Sequence, residues 1–148
     1  MDATQREVHI VKHTLKPLFL FSLVAAALLG LVGCGGRAAA AQLLSPQAVY
    51  DRLPDLDDDT ILLDVRTPEE WAEGHIEGAT LLPLDALPSY AASLLPNKEA
   101  EIIVYCRSGN RSTQAVSYRV DAGYQNVSDM QGGILAWIEA GLPVVMTP

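Results

Sequence analysis

The residues with the clearest chemical potential lie in one short segment, IIVYCRSGNRST, at positions 102–113. A run of apolar, mostly β-branched residues ends at Cys106, and two arginines, Arg107 and Arg111, follow it closely. A cysteine in this setting has four candidate roles: a nucleophile, a metal ligand, half of a disulfide, or a small buried apolar side chain. The composition of the chain and the elements around the segment distinguish among these roles.

The composition argues against a metal site and against a disulfide framework. The chain has 148 residues and only two cysteines, Cys34 and Cys106, and its three histidines are scattered along the sequence. A metal cluster therefore lacks ligands, and a disulfide would have to join these two cysteines. The length predicts one domain. The net charge of -8 argues against a nucleic-acid partner, so an anion-binding site must be a local basic pocket.

The N-terminal segment predicts a separate role for Cys34. A weakly basic start precedes an uncharged run, PLFLFSLVAAALLGLVGC, which ends at Cys34. This run is short for a membrane span, which needs about 20 apolar residues, and fits the apolar core of an export signal better. Its end, LVGC, resembles a bacterial lipobox, in which the cysteine receives a lipid and becomes the new N-terminus. The alternative is an uncleaved N-terminal anchor.

These assignments predict the organisation and location of the protein. Residues 1–33 are expected to form a lipoprotein-type signal peptide, residues 34–41 a tether and residues 42–148 the folded domain. Lipidation of Cys34 would attach the domain to a membrane, facing the periplasm or the cell exterior. Cys106 would then be the only thiol of the mature domain, which excludes dithiol chemistry.

The rest of the chain alternates predicted strands and helices. The continuous apolar runs TILLDV and EIIVY are typical of strands buried on both faces of a parallel sheet, and TLLPL and NVSDM indicate shorter strands. Helices are predicted after Ser45 and Thr67, over 86–95, over 112–122 and over GILAWIEAG. This alternation predicts an open, mostly parallel α/β sheet with helices on both faces. Ligands bind at the carboxyl ends of such strands, where the cysteine loop lies.

The loop after EIIVY is suited to stabilising an anion. Gly109 allows the backbone to curl so that several amide groups point inward, and the next helix adds the positive end of its dipole. A thiol at the centre ionises easily, while Arg107 and Arg111 attract an anionic substrate. Such a polar loop is a poor place for a buried apolar cysteine. We therefore predict that Cys106 is a thiolate nucleophile.

The spacing between Cys106 and Arg111 distinguishes two chemistries that use this arrangement. Cysteine phosphatases have the spacing C-x5-R, which leaves room for a phosphate. Here only four residues intervene, giving C-x4-R. The smaller loop favours a compact persulfide over a tetrahedral phosphoryl group.

Three motifs resemble those of the rhodanese family of sulfurtransferases. They are LLDVRTPEEWAEGHIEGA, VYCRSGNRS and GYQNVSDMQGGILAWIEAGLPV, and they occur in this order over nearly the whole folded domain. The resemblance implies a rhodanese-like fold and ping-pong chemistry without a metal or organic cofactor. Cys106 would take a sulfane sulfur from an anionic donor such as thiosulfate and pass it to cyanide or a thiol. The residues implied to hold the persulfide are Arg107, Ser108, Gly109, Asn110, Arg111 and Ser112.

Residues outside the loop receive supporting roles. Asp64, at the end of ILLDV, is expected to accept backbone N–H groups near Cys106. The resemblance suggests that Arg66 forms an ion pair with Glu70. Arg119, where relatives commonly have leucine, is expected to extend its charged end to solvent.

Two other functions are compatible with the sequence. One is a persulfide carrier or binding module for a membrane partner, and the other is a small cysteine phosphatase or arsenate reductase on the same fold. The presence of Cys106 argues against a non-catalytic module, and the spacing to Arg111 argues against the phosphatase. No oligomeric state is predicted.

Overall fold

The computed structural model describes residues 41–56 and 59–146, so Cys34 and the predicted signal peptide lie outside the described residues. The strands are β1 (Gln42–Leu44), β2 (Ile61–Asp64), β3 (Thr80–Leu81), β4 (Glu101–Tyr105) and β5 (Asn126–Met130). The helices are α1 (Pro46–Arg52), α2 (Pro68–Ala72), α3 (Leu87–Leu94), α4 (Asn110–Asp121) and α5 (Gly133–Glu139), and a 3-10 helix (Leu53–Asp55) follows α1. Among these described helices, none combines the length and the apolar character needed to cross a membrane.

The strands form one parallel sheet in the order β1-β5-β4-β2-β3. The register pairs Asp64 of β2 with Tyr105 of β4, and Val104 of β4 with Asp129 of β5. The carboxyl ends of these three strands therefore meet at one edge of the sheet. The α/β class and the parallel sheet confirm the prediction, and the loop after β4 lies between the ends of its two neighbours.

Helices cover both faces of the sheet, and each face has its own apolar core. Leu63 and Val104 pack on the face that carries α3 and α4. Leu62 and Ile103 pack on the opposite face with α1 and α5. Because successive strand residues point to opposite faces and both faces are covered, β2 and β4 carry apolar residues at consecutive positions, 61–63 and 102–105. This two-sided burial explains the continuous apolar runs in the sequence.

Two local features differ from the predicted elements. The edge strand β1 was not predicted, because it has three residues of which two are exposed, and so shows no apolar alternation. Helix α4 begins at Asn110, earlier than the predicted start at Ser112. Gly109, with a φ of 108°, turns the chain directly into the helix.

Arg119 is fully buried, which contradicts the prediction that its charged end reaches solvent. It lies on the same face of α4 as Ala115 and Val116, and this face packs against the sheet. Its guanidinium carbon is 4.5 Å from the centre of the Tyr124 ring, but its side-chain nitrogens have no hydrogen-bond partner in the described part of the chain. Burial lowers the pKa of Arg119, and the electrostatic interaction with Tyr124 opposes this shift only in part.

We expect Arg119→Leu to raise the free energy of unfolding by about 1 to 4 kcal/mol, because it removes a poorly compensated buried charge. Urea unfolding at neutral pH measures the change. The control is Gln114→Leu, an exposed site on the same helix, which should change stability by less than about 0.5 kcal/mol. Destabilisation by Arg119→Leu would mean that the guanidinium contributes to the folded state.

Candidate active site

The loop after β4 curls around the sulfur of Cys106. The backbone amide of Gly109 donates a hydrogen bond to the sulfur at 3.1 Å. Helix α4 begins at the next residue, so the free amides of its first turn lie at the same place. Cys106 is only 1% exposed, and its sulfur therefore lies beneath the loop and not on an open surface.

Hydrogen bonds lower the pKa of Cys106. Burial of the thiol opposes ionisation, but hydrogen bonds from the amide and hydroxyl of Ser112 and from the amides of Gly109 and Ser108 outweigh it. The Ser112 hydroxyl also lies 2.9 Å from the Gly109 carbonyl oxygen, and it has only one proton to donate. Because a charged acceptor forms the stronger hydrogen bond, we expect this hydroxyl to turn toward the sulfur when the thiolate forms.

Ser112→Ala is therefore expected to raise the pKa of Cys106. Loss of the hydroxyl donor disfavours the thiolate, so alkylation by iodoacetamide should slow several-fold below the titration midpoint and match wild type above it. The pH profile of the alkylation rate is the measurement. Ser117→Ala, on an exposed face of the same helix, is the matched control and should leave the profile in place. Identical profiles for all three proteins would exclude a role for the Ser112 hydroxyl.

The predicted persulfide-binding residues occupy different positions around the sulfur. The structure brings Ser108, Gly109 and Ser112 to the thiol. The side chains of Arg107 and Asn110 are exposed, and the side chain of Arg111 is paired with another residue.

Arg111 forms a two-pronged ion pair with Glu70 of α2. Its two terminal nitrogens donate to the two carboxylate oxygens at 2.6 and 2.7 Å. The Arg111 guanidinium lowers the pKa of Glu70 to about 2. The predicted pair between Arg66 and Glu70 is wrong, since Arg66 reaches only the backbone carbonyl oxygen of Glu70, at 3.0 Å.

Arg66 instead pairs with Asp64 inside the protein. The guanidinium donates to both carboxylate oxygens at 2.6 to 3.0 Å, and the Arg66 backbone amide adds a hydrogen bond of 2.9 Å. Arg66 also donates to the carbonyl oxygen of Gly74. Asp64 was expected to accept hydrogen bonds from backbone N–H groups near Cys106. The backbone amide that donates to it is that of Arg66, so Asp64 stabilises the turn after β2.

Helix α5 closes the other side of the loop. The amides of Ile134 and Leu135 donate to the carbonyl oxygens of Cys106 and Arg107, at 2.8 and 3.1 Å. Gly133 lies against the same carbonyls with a φ of 60°. Sequence reasoning did not assign this glycine a role, although the GG pair before a predicted helix was the available signal.

Asp129 lies under the first turn of α4 and was also not predicted as a site residue. One carboxylate oxygen is 3.0 Å from the Thr113 hydroxyl, which in turn is 3.0 Å from the Gly109 carbonyl oxygen. The other oxygen is buried without a hydrogen-bond partner among residues 41–56 and 59–146. Burial raises the pKa of Asp129, and the nearby hydroxyl groups of Ser112 and Thr113 only partly oppose the shift. The sequence signal that could have identified Asp129 as a site residue was an acidic residue near the end of the short strand NVSDM.

Comparison with known proteins identifies the family. The sequence profile of the Rhodanese-like domain matches residues 45–140, which include the cysteine loop and both helices that touch it. The chain belongs to the rhodanese-like family. The family match, together with a relative that is a sulfurtransferase, supports sulfur transfer in general.

Individual relatives agree with this assignment. A sulfurtransferase from Allochromatium vinosum is 41% identical over 102 residues, which cover 69% of this chain and 92% of that protein. Other curated relatives are longer, and the chain spans half of their length or less. The crystal structure of a rhodanese-related protein from Thermoplasma volcanium is 30% identical, with a TM-score of 0.63 over 72% of this chain and 99% of that one. A Rhodopseudomonas palustris protein described as a possible tyrosine phosphatase is 25% identical, with a TM-score of 0.65 over 71% of this chain and 85% of that one.

Proposed function

We propose that this rhodanese-like protein moves a sulfane sulfur from a thiosulfate-like donor, through a persulfide on Cys106, to cyanide or a thiol. The observation that carries the proposal is the set of hydrogen-bond donors around the sulfur, with the Gly109 amide at 3.1 Å and Ser112 beside it. These donors favour a thiolate and can equally hold the outer sulfur of a persulfide anion.

The proposed reaction has two displacement steps. The Cys106 thiolate attacks the outer sulfur of thiosulfate, a new S–S bond forms, and sulfite leaves with the electron pair of the broken bond. Cyanide or a thiolate then attacks the outer sulfur of the persulfide, and Cys106 leaves as the thiolate. Arg107 is exposed, and its side chain makes no ion pair in the described part of the chain, so it can attract the anionic donor. Arg111 is already neutralised by Glu70.

The decisive experiment compares the two cysteines of the chain. With thiosulfate and cyanide, the purified protein should form thiocyanate, and thiosulfate alone should add the mass of one sulfur atom to Cys106. Cys106→Ser should lower the rate by at least about 1,000-fold, because it removes the nucleophile. Cys34→Ser is the matched control and should retain full activity. If a protein with reduced Cys106 gains no sulfur and makes no thiocyanate, the proposed function is wrong.

A cysteine phosphatase is the second candidate, favoured by the similarity to the Rhodopseudomonas palustris protein. The C-x4-R spacing of this chain argues against it. Hydrolysis of para-nitrophenyl phosphate that disappears in Cys106→Ser would support the phosphatase. Absence of hydrolysis in a preparation that forms the persulfide would exclude it.

We also propose that the protein is exported and held at a membrane by a lipid on Cys34. The proposal is supported by the uncharged run that ends in LVGC. Growth with an alkyne fatty acid should label the wild-type protein and leave Cys34→Ser unlabelled. Persistent labelling of Cys34→Ser would exclude lipidation at this residue.

A further inference from the structure

A groove lies beside the cysteine loop, between α2, α5 and the segment that follows α5. Its volume is about 220 Å³. Its walls include Leu135 and Ile138 of α5 and Val144, which are 45%, 53% and 40% exposed. Apolar side chains that line one concavity with such exposure are characteristic of a binding surface.

The groove is continuous with the active loop. Arg107, the residue after the nucleophile, lines it, and the amide of Leu135 donates to the Arg107 carbonyl oxygen at 3.1 Å. The neighbouring amide of Ile134 donates to the carbonyl oxygen of Cys106 at 2.8 Å. A molecule held on the α5 wall is therefore adjacent to the peptide that carries the reactive sulfur.

Some charged side chains of the groove are already paired, and others are free. Arg66 and Glu70 line it, but Asp64 and Arg111 already neutralise them. Arg107 and Glu73 line it too, both are exposed, and their side chains make no ion pair within the described ranges. The groove thus offers one free positive charge on the residue that follows Cys106, an apolar wall, and one free negative charge. Cyanide is a two-atom anion that can use only the positive charge, and a lipid surface would meet the negative charge of Glu73 unfavourably.

We propose that this groove docks the sulfur acceptor, and that the acceptor is a cysteine in a polypeptide segment that carries an aliphatic side chain and a carboxylate near the cysteine. The proposal rests on the proposed sulfur transfer through Cys106. The aliphatic side chain covers Leu135, Ile138 and Val144, and the carboxylate pairs with Arg107. In the transfer step, the acceptor thiolate attacks the outer persulfide sulfur, and Cys106 leaves as the thiolate.

Acceptor peptides of defined sequence test the proposal on the full chain. The protein is first loaded with thiosulfate, freed of excess donor, and checked by mass spectrometry for the added sulfur. It is then mixed with a short peptide containing Glu, Cys and Leu, with versions in which Ser replaces Leu or Lys replaces Glu, and with glutathione. We expect the first peptide to take the sulfur about tenfold faster than the others, measured as peptide persulfide formed per unit time.

Variants of the protein give the reciprocal test. For Ile138→Asp, the rate of sulfur transfer to the peptide containing Glu, Cys and Leu is divided by the rate of sulfur transfer to cyanide. This ratio should be about tenfold lower than in the wild-type protein. The control Leu94→Asp, at an exposed apolar residue of α3, should keep the wild-type ratio.

Three outcomes would overturn the proposal. A loaded protein that transfers sulfur equally fast to all peptides would show that the groove does not select the acceptor. An unchanged ratio in Ile138→Asp would show the same. A wild-type dimer that Ile138→Asp converts to a monomer, measured by analytical ultracentrifugation, would assign the groove to a second copy of the chain. Failure to load sulfur at all would instead contradict the proposed function.

Discussion

Gly133→Ala is expected to lower the free energy of unfolding by about 2 to 5 kcal/mol, combining backbone strain with overpacking. Gly133 has a φ of 60°, where a side chain adds strain. The added Cβ would overlap the carbonyl oxygen of Cys106 and lie 2.7 Å from the carbonyl oxygen of Arg107. Both contacts are with backbone atoms, so relief requires α5 and the active loop to separate. Sulfur transfer should therefore fall together with stability.

Two other glycines isolate the steric part of this effect. Gly78 and Gly141 have φ values of 78° and 74°, but a Cβ at either position would meet no atom within 4 Å. Alanine at these positions should lower the free energy of unfolding by about 1 to 2 kcal/mol, because it adds backbone strain without a steric overlap. Urea unfolding of the three variants gives the comparison, with thiocyanate formation as the second readout. Equal losses at all three sites would mean that the loop tolerates the displacement of α5.

Removing one partner of the buried Asp64–Arg66 pair is expected to destabilise the protein by about 3 to 5 kcal/mol. The two side chains are 0% and 4% exposed, so Arg66→Met leaves a carboxylate without water or a counterion. The same change also removes the donor to the Gly74 carbonyl oxygen, which ties β2 to the end of α2. The double variant Asp64→Leu/Arg66→Met should lose less than the sum of the single variants, because no uncompensated charge remains.

The pair between Arg52 and Glu101 is a matched control for burial. A single terminal nitrogen of Arg52 donates to both carboxylate oxygens of Glu101, and the two side chains are 38% and 32% exposed. Arg52→Met should therefore cost less than about 1 kcal/mol. Unfolding curves of the Arg66 and Arg52 variants, recorded under the same conditions, measure the difference. Similar losses in both would show that burial does not determine the contribution of these ion pairs.

The elements around the site could be predicted from sequence because their patterns are local. Strands buried on both faces leave uninterrupted apolar runs, as in EIIVY, and Ser45 and Thr67 cap helices through contacts within three residues. The position of the cysteine loop between a strand and a helix followed from the same patterns. The three-residue edge strand β1 could not be predicted, since only its pairing with β5 makes it a strand.

The partners of the charged residues could not be predicted, because they depend on the register of the sheet. Glu70 and Arg111 are far apart in sequence, and only the parallel pairing of β2 with β4 brings α2 to the cysteine loop. A local pairing of Arg66 with Glu70 was the simpler interpretation of the motif. Arg119 illustrates the same limit, since its face of α4 is buried although its residue type usually reaches solvent.

The burial of the Cys106 sulfur has a consequence for the lifetime of its free thiol. A thiolate at 1% exposure is shielded from bulky disulfides, which would otherwise trap it as a mixed disulfide. Under the proposed chemistry, donor sulfur extends the reactive position by one S–S bond, about 2.05 Å, toward the surface. An incoming thiol then meets the outer sulfur first. Burial of the sulfur would therefore prevent the acceptor from reacting until the donor has loaded the outer sulfur. It would also protect the unloaded thiol from bulky disulfides between turnovers.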